Sequence, residues 1–137
     1  MSDQSELIAD DSSPAAVVVS QVMACPVKRV WQHLISATGA EALLGPGAFF
    51  GAKGQTWSSA DGLSGVVRTL HPMEELRFTI RREGQTSHSM VQFDLAAEGD
   101  GTKVSVTHSN LEPGADVDSL HGRWQDALAR IEASLAA

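Results

Sequence analysis

The sequence predicts an α+β fold in which a curved antiparallel sheet of six or seven strands surrounds one long C-terminal helix. Turn signals such as Ala60-Asp61-Gly62 and Glu83-Gly84-Gln85 divide residues 55–110 into short runs of alternating apolar residues, the pattern of consecutive hairpins. A single amphipathic segment then ends the chain. Because one helix is too narrow to cover a flat sheet of this size, the sheet should curl around it and enclose a hollow.

The composition is that of one globular domain. The chain has 137 residues, of which 42% are hydrophobic and 20% are charged. It contains no apolar run of the roughly 18 residues that cross a membrane, so no membrane insertion is expected. The net charge of −7 opposes binding to a phosphate backbone, so no nucleic-acid partner is expected either. The lone Cys25 cannot form an internal disulfide, which favours a cytoplasmic location.

The first residues differ in composition from the rest of the chain. Residues 1–13 contain four acids and no base. This composition predicts a disordered acidic tail over residues 1–14 and not a signal peptide, followed by a single domain over residues 15–137.

The predicted domain begins with one strand and two short helices. The β-branched run Val17–Met23 predicts the first strand. Apolar residues at helical spacing predict a helix over Val27–Ile35, and a second short helix follows with Ser36 or Thr38 as its cap. The segment Gly39–Gly54 contains five glycines and should fold over one end of the sheet as a lid or mouth.

Five more strands and a final helix complete the prediction. Alternation gives most of these strands one apolar and one polar face, as expected when only one side of a sheet is covered. The strand predicted over Leu63–His71 alternates poorly, and a bulge near Gly65 would explain this. The last helix, Val117–Ala136, has an apolar stripe, with Arg123 on the opposite face. The approximate bounds of the strands are Gln55–Ser59, Leu63–His71, Glu75–Arg82, Thr86–Ala97 and Thr102–Asn110.

Four local motifs add a family resemblance to this pattern. They are Val27-x-x-Val30-Trp31; Gly65-x-Val67 with His71-Pro72 and Glu75-Leu76-Arg77-Phe78-Thr79; the strand Gly101 to Ser109; and Gly122-Arg123-Trp124. In these motifs the chain resembles the START-like (helix-grip, SRPBCC) superfamily and, within it, the family named after an activator of the heat-shock-protein-90 ATPase. The resemblance runs from about Val17 to Leu135 and implies a helix-grip fold. The superfamily includes lipid, hormone and polyketide binders, cyclases and toxin-sequestering proteins.

The candidate binding residues are strand residues of inward parity and residues of the helix stripe, with Arg68 included for the case in which it points inward. An apolar ligand body would be desolvated by eight of them, and its polar end would be satisfied by His108 and Arg68. Two alternatives stay open, because His108 could be a hydrogen-bonded histidine at a strand end and Arg68 could be solvated. The eight apolar candidates are Trp57, Phe78, Ile80, Val91, Phe93, Val106, Trp124 and Leu128.

These residues predict a non-catalytic binder of a small hydrophobic molecule, aromatic or lipid-like. The histidines form no pair at helical spacing and the chain has one cysteine, so no metal site and no cofactor are predicted. A polyketide cyclase or dehydratase centred on His108 is the first alternative. The second, which rests on the family's name, is a co-chaperone-like module that binds a chaperone through outward residues such as Arg77 and Arg81. The edge strand Val17–Met23 also leaves a homodimer open.

Overall fold

The computed structural model describes residues 16–136, which form one six-stranded antiparallel sheet and three helices. The predicted acidic tail lies outside these residues. The strands lie side by side in the order β1-β6-β5-β4-β3-β2. The α+β helix-grip prediction is therefore confirmed, with six strands. In chain order the elements are β1 (Val17–Met23), α1 (Val27–Leu34), α2 (Ala37–Leu44), β2 (Thr56–Ser58), β3 (Leu63–His71), β4 (Glu75–Arg82), β5 (Ser89–Glu98), β6 (Gly101–Ser109) and α3 (Val117–Ala136).

The two short helices follow from capping chemistry and from one close contact. Pro26 precedes the first turn of α1, where its missing N–H leaves no helical hydrogen bond unmade. Ser36, one of the two cap candidates, accepts a hydrogen bond from the Gly39 N–H at 3.1 Å. A β-carbon on Gly39 would lie 2.0 Å from the carbonyl oxygen of His33, so only glycine lets α2 start this close to the end of α1.

The inner face of the sheet is apolar, as the alternation predicts. Leu76, Phe78 and Ile80 of β4 are buried on this face, and the apolar residues of β5 and β6 continue it. The C-terminal helix α3 covers the inner face with a buried stripe. The residues of that stripe are Trp124, Ala127, Leu128, Ile131 and Leu135.

The pairing of β3 with β4 is irregular, and Trp57 crosses these strands beside Gly65. The Trp57 indole N–H passes Gly65 and donates to the Thr79 carbonyl oxygen at 3.1 Å. The Val66 N–H donates to the Thr79 hydroxyl at 2.8 Å. The register shift itself lies between Val67 and Thr69, so the predicted bulge exists but is centred on Arg68 and not near Gly65.

The strand predicted over Thr86–Ala97 begins later than expected, at Ser89. The residues before Ser89 make hydrogen bonds outside the strand pairing. The Gln85 side chain accepts the Arg82 N–H at 2.9 Å, and the Asn110 side chain donates to the His88 carbonyl oxygen at 3.0 Å. Residues 86–88 therefore form a loop at one end of the sheet, and this loop borders the cavity described below.

Candidate functional site

A cavity of about 150 Å³ lies at one end of the sheet, where the β4–β5 connection, the end of β6 and the start of α3 meet. Half of its wall is apolar and half carries hydrogen-bonding groups. At the mouth, His88, Asn110 and Glu112 are exposed to solvent. The lining residues are Leu63, Ile80, Leu111, Ala115 and Leu120 on the apolar side, and Arg82, Gln85, Ser87, His88, Ser89, His108, Asn110, Glu112 and Arg123 on the polar side.

Aromatic rings fill most of the interior that the sequence predicts to be hollow. Phe78 is the centre of this cluster, because its ring centroid lies 4.9 Å from Phe50, 5.7 Å from Trp57 and 6.2 Å from Phe93. Phe93 in turn lies 5.9 Å from Trp124. These distances are those of packed aromatic pairs, so the rings form a core, and the cavity described above lies at the end of the grip.

The predicted site residues fall into three groups. Ile80 and His108 line the cavity. Arg68 lies on the outer face of the sheet in a shallow groove beside Arg81 and His88, so its guanidinium is exposed and lies outside the cavity. The others are packed in the core that supports the cavity: Trp57, Phe78, Val91, Phe93, Val106, Trp124 and Leu128.

His108 is the polar centre of the cavity wall, and both of its ring nitrogens are engaged. The Trp124 indole N–H donates to Nδ1 of His108 at 3.1 Å. On the other side of the ring, Nε2 lies 2.7 Å from the hydroxyl oxygen of Ser89. His108 itself is only 4% exposed. The structure therefore brings together the predicted His108 and Trp124, and it adds Ser89.

These contacts define the tautomer of His108. An indole N–H can only donate, so Nδ1 must be the unprotonated, accepting nitrogen. The neutral ring then carries its proton on Nε2 and donates to the Ser89 hydroxyl. In a Ser-His-Asp triad the third residue accepts from Nδ1, which leaves Nε2 free as the base. Trp124 donates to Nδ1 instead of accepting from it. Nε2 of His108 therefore carries the proton, and His108 cannot take a proton from Ser89.

The environment of His108 favours the neutral ring. Burial is the main cause, and the positive charge of Arg123 is the second; together they lower the pKa of His108 to about 4. His108 is therefore uncharged near pH 7 and presents a hydrogen-bond donor, not a cation, to the cavity wall.

Replacing Trp124 with phenylalanine is expected to change the tautomer of His108. Without the indole donor, nothing holds Nδ1 as an acceptor, and the Nδ1–H form becomes populated. Nitrogen-15 chemical shifts of the imidazole distinguish the two forms. Trp31→Phe, a substitution of another buried tryptophan, is the control and should leave these shifts unchanged. An Nδ1–H imidazole in the unsubstituted protein would contradict the assignment.

Arg123 also lines the cavity, contrary to its predicted place on the polar face of the last helix. Arg123 lies three residues after Leu120 and four before Ala127, so it is next to the apolar stripe of α3. Its Nε atom is buried without a hydrogen-bond partner among the described residues. Its guanidinium carbon lies 5.6 Å from the ring centroid of Trp124. The spacing from Leu120 was the sequence signal that could have indicated this position.

The part of the chain that the structure describes offers no cluster of three or more His, Cys, Asp or Glu residues for a metal ion. None of the helices over residues 16–136 has the length and apolar character that spanning a membrane requires.

The sequence of residues 24–136 matches the family of Activator of Hsp90 ATPase homolog 1-like proteins. The chain belongs to this family. The match covers both short helices, the strands from β2 to β6 and the C-terminal helix, which agrees with the resemblance found in the motifs. No curated protein sequence matches the chain significantly.

Solved structures share the family's fold at low sequence identity. DynU16, from the dynemicin biosynthetic locus, has a TM-score of 0.75 and 22% identity over 89% of this chain and 47% of its own, so the chain spans about half of DynU16. CalU16 from Micromonospora echinospora has a TM-score of 0.75 and 21% identity over 89% and 76% of the two chains. The Aha1 dimer from Colwellia psychrerythraea has a TM-score of 0.75 and 18% identity over 88% and 96%. These likenesses concern the fold alone.

Proposed function

We propose that the protein binds a small molecule with an apolar body and a polar end in the cavity beside His108. The observation that supports this most is the divided wall, which is apolar along Leu63, Ile80 and Leu120 and polar along Ser89 and His108. Sites for small ligands combine apolar surface with a few placed polar groups in this way.

The size of the cavity limits the buried part of the ligand. The cavity volume of about 150 Å³ corresponds to a molecule of about the size of benzene. The ligand would therefore bury one ring or a short chain, and any larger part would extend past the exposed mouth at His88 and Glu112.

The state of His108 favours binding over catalysis. A general base must accept a proton from its substrate, directly or through one water. With Nδ1 occupied by the Trp124 donor and Nε2 protonated, His108 has no free accepting nitrogen for that role. The same arrangement is suited to binding, because the Ser89 hydroxyl that accepts from His108 can donate its own hydrogen to a ligand beside apolar surface.

A thermal-shift screen tests the proposal, with single-ring aromatic and short-chain molecules, both neutral and charged, as probes. A probe that binds only the folded state raises the melting temperature, and the rise grows with the logarithm of the ratio of its concentration to its dissociation constant. In Ala115→Trp an indole fills the cavity, because Ala115 is half-buried in its wall, and the shift should disappear.

Ala97→Trp is the matched control for the screen. Ala97 is exposed near the far end of β5, so the same bulky substitution leaves the cavity empty and the shift should persist. Shifts that persist in a folded Ala115→Trp variant would contradict binding in this cavity, as would the absence of any shift across the panel.

A further inference from the structure

We infer that the polar end of the ligand is a carboxylate and that Arg123 binds it inside the cavity. This inference rests on the proposed function, since it names the chemical class of the molecule that the same cavity holds. Three observations support it: the available hydroxyl hydrogen of Ser89, the buried Nε atom of Arg123 without a hydrogen-bond partner among the described residues, and the positive charges of Arg82 and Arg130 near Arg123.

The Ser89 hydroxyl gives the cavity wall a hydrogen-bond donor that a ligand can use. Glu112, the carboxylate of the wall, already accepts a hydrogen bond from the Gln85 side chain at 3.2 Å. The Ser89 hydroxyl accepts from His108, and the nearest described partner for its own hydrogen, the Ile80 carbonyl oxygen, is 3.5 Å away. That distance exceeds the usual range for an O–H donor, so the Ser89 hydrogen is available to a ligand.

Arg123 is a partly buried cation that lies near two other arginines and the carboxylate of Asp61. Its Nε atom is buried and has no hydrogen-bond partner among the described residues. Burial is the main cause that lowers its pKa, and Arg82 and Arg130 lower it further, while Asp61 alone opposes them. A buried charge is costly unless it is paired. A ligand carboxylate would supply the missing partner.

The geometry also fits the ligand class. Arg82 also lines the cavity, so the wall holds a second guanidinium. A guanidinium can bind a carboxylate through two parallel hydrogen bonds, which are charge-assisted and therefore strong. Leu120, one turn before Arg123 on α3, lies on the apolar side and would contact the body of the same ligand.

Matched small probes test the inference in the unsubstituted protein. Benzoate, benzamide and benzyl alcohol have the same ring, which fits the cavity, but benzoate alone carries a negative charge. We expect benzoate to bind roughly ten- to a hundred-fold more tightly than either neutral probe, because a hydrogen bond to a charged group is the stronger one. Titration followed by nuclear magnetic resonance gives the three dissociation constants.

Two arginine variants then locate the effect. In Arg123→Gln the preference for benzoate should fall to within about twofold of benzamide, while binding of benzamide persists. Arg77→Gln is the matched control, because Arg77 is also half-buried with an unpartnered Nε atom but faces away from the cavity. Its preference for benzoate should match that of the unsubstituted protein.

The possible outcomes separate the two proposals. If benzamide or benzyl alcohol binds at least as tightly as benzoate, the carboxylate inference is wrong and the proposed binding function stands. If a folded Arg123→Gln variant keeps the full preference, Arg123 is not the partner and the inference is again wrong. If none of the three probes binds at millimolar concentration, the inference and the proposed function fail together.

Discussion

Replacing Gly65 with alanine is expected to lower the free energy of unfolding by about 2–4 kcal/mol. A β-carbon at this position would lie 1.8 Å from the carbonyl oxygen of Thr79 and 2.7 Å from the indole nitrogen of Trp57. The first of these atoms belongs to the backbone of the adjacent strand and has little room to move. The substitution should therefore push β3 away from β4 and break the hydrogen bond from Trp57 to Thr79.

Gly122→Ala is the control, and its expected effect has the opposite sign. Gly122 lies inside α3, and no heavy atom would approach its new β-carbon within 4 Å. Alanine costs less backbone entropy in a helix, so the free energy of unfolding should rise by about 0.5–1 kcal/mol. Urea unfolding monitored by circular dichroism measures both variants. A Gly65→Ala protein as stable as the unsubstituted one would contradict the close crossing at Thr79.

Lowering the pH from 7 to 4.5 is expected to remove about 2–3 kcal/mol of stability through His108 alone. Its pKa falls from the ordinary 6.5 to about 4 on folding, so the unfolded chain binds the proton more readily than the folded one. The contribution is fully present above pH 6.5, is lost progressively below that pH, and is gone below about pH 4. Protonation would also break the hydrogen bond from Trp124, because Nδ1 would then carry a proton.

A comparison of variants separates the contribution of His108 to the pH dependence of stability from that of the carboxylates, which titrate in the same pH range. In His108→Gln the loss of stability between pH 7 and pH 4.5 should be smaller by about 2–3 kcal/mol. The exposed residue His121 on α3 supplies the control His121→Gln, which should follow the unsubstituted protein. Urea unfolding at both pH values gives the differences. Parallel pH profiles for His108→Gln and the unsubstituted protein would show that His108 is not held neutral by burial.

The strands and their faces could be predicted because the sheet is covered on one side only. Residues such as Leu76, Phe78 and Val106 alternate with polar neighbours, and each is buried as its parity requires. The ligand cavity was harder to locate. Parity identifies which residues face inward, but it does not tell whether rings such as Phe78 and Phe93 leave space between them or fill it.

The two arginines show where sequence reasoning reached its limit. Poor alternation in its strand leaves the direction of Arg68 open in the sequence, and the bulge at that residue places its side chain outside. Arg123 was assigned to solvent because it lies off the apolar stripe of α3, but the curved sheet and the loop after β6 reach around the helix to its flank. The contact of Arg123 with the cavity depends on how loops bring together residues that are far apart in sequence. A periodic pattern within one helix does not contain that information.

The most direct test of binding at the cavity follows the three tryptophan indole N–H signals during a titration with benzoate. Trp124 hydrogen-bonds the cavity residue His108, Trp57 borders the outer groove, and Trp31 is buried in α1. We predict that the Trp124 signal shifts and saturates, while the signals of Trp57 and Trp31 stay in place. A saturable shift confined to Trp57, or no shift of Trp124 at millimolar benzoate, would contradict binding beside His108.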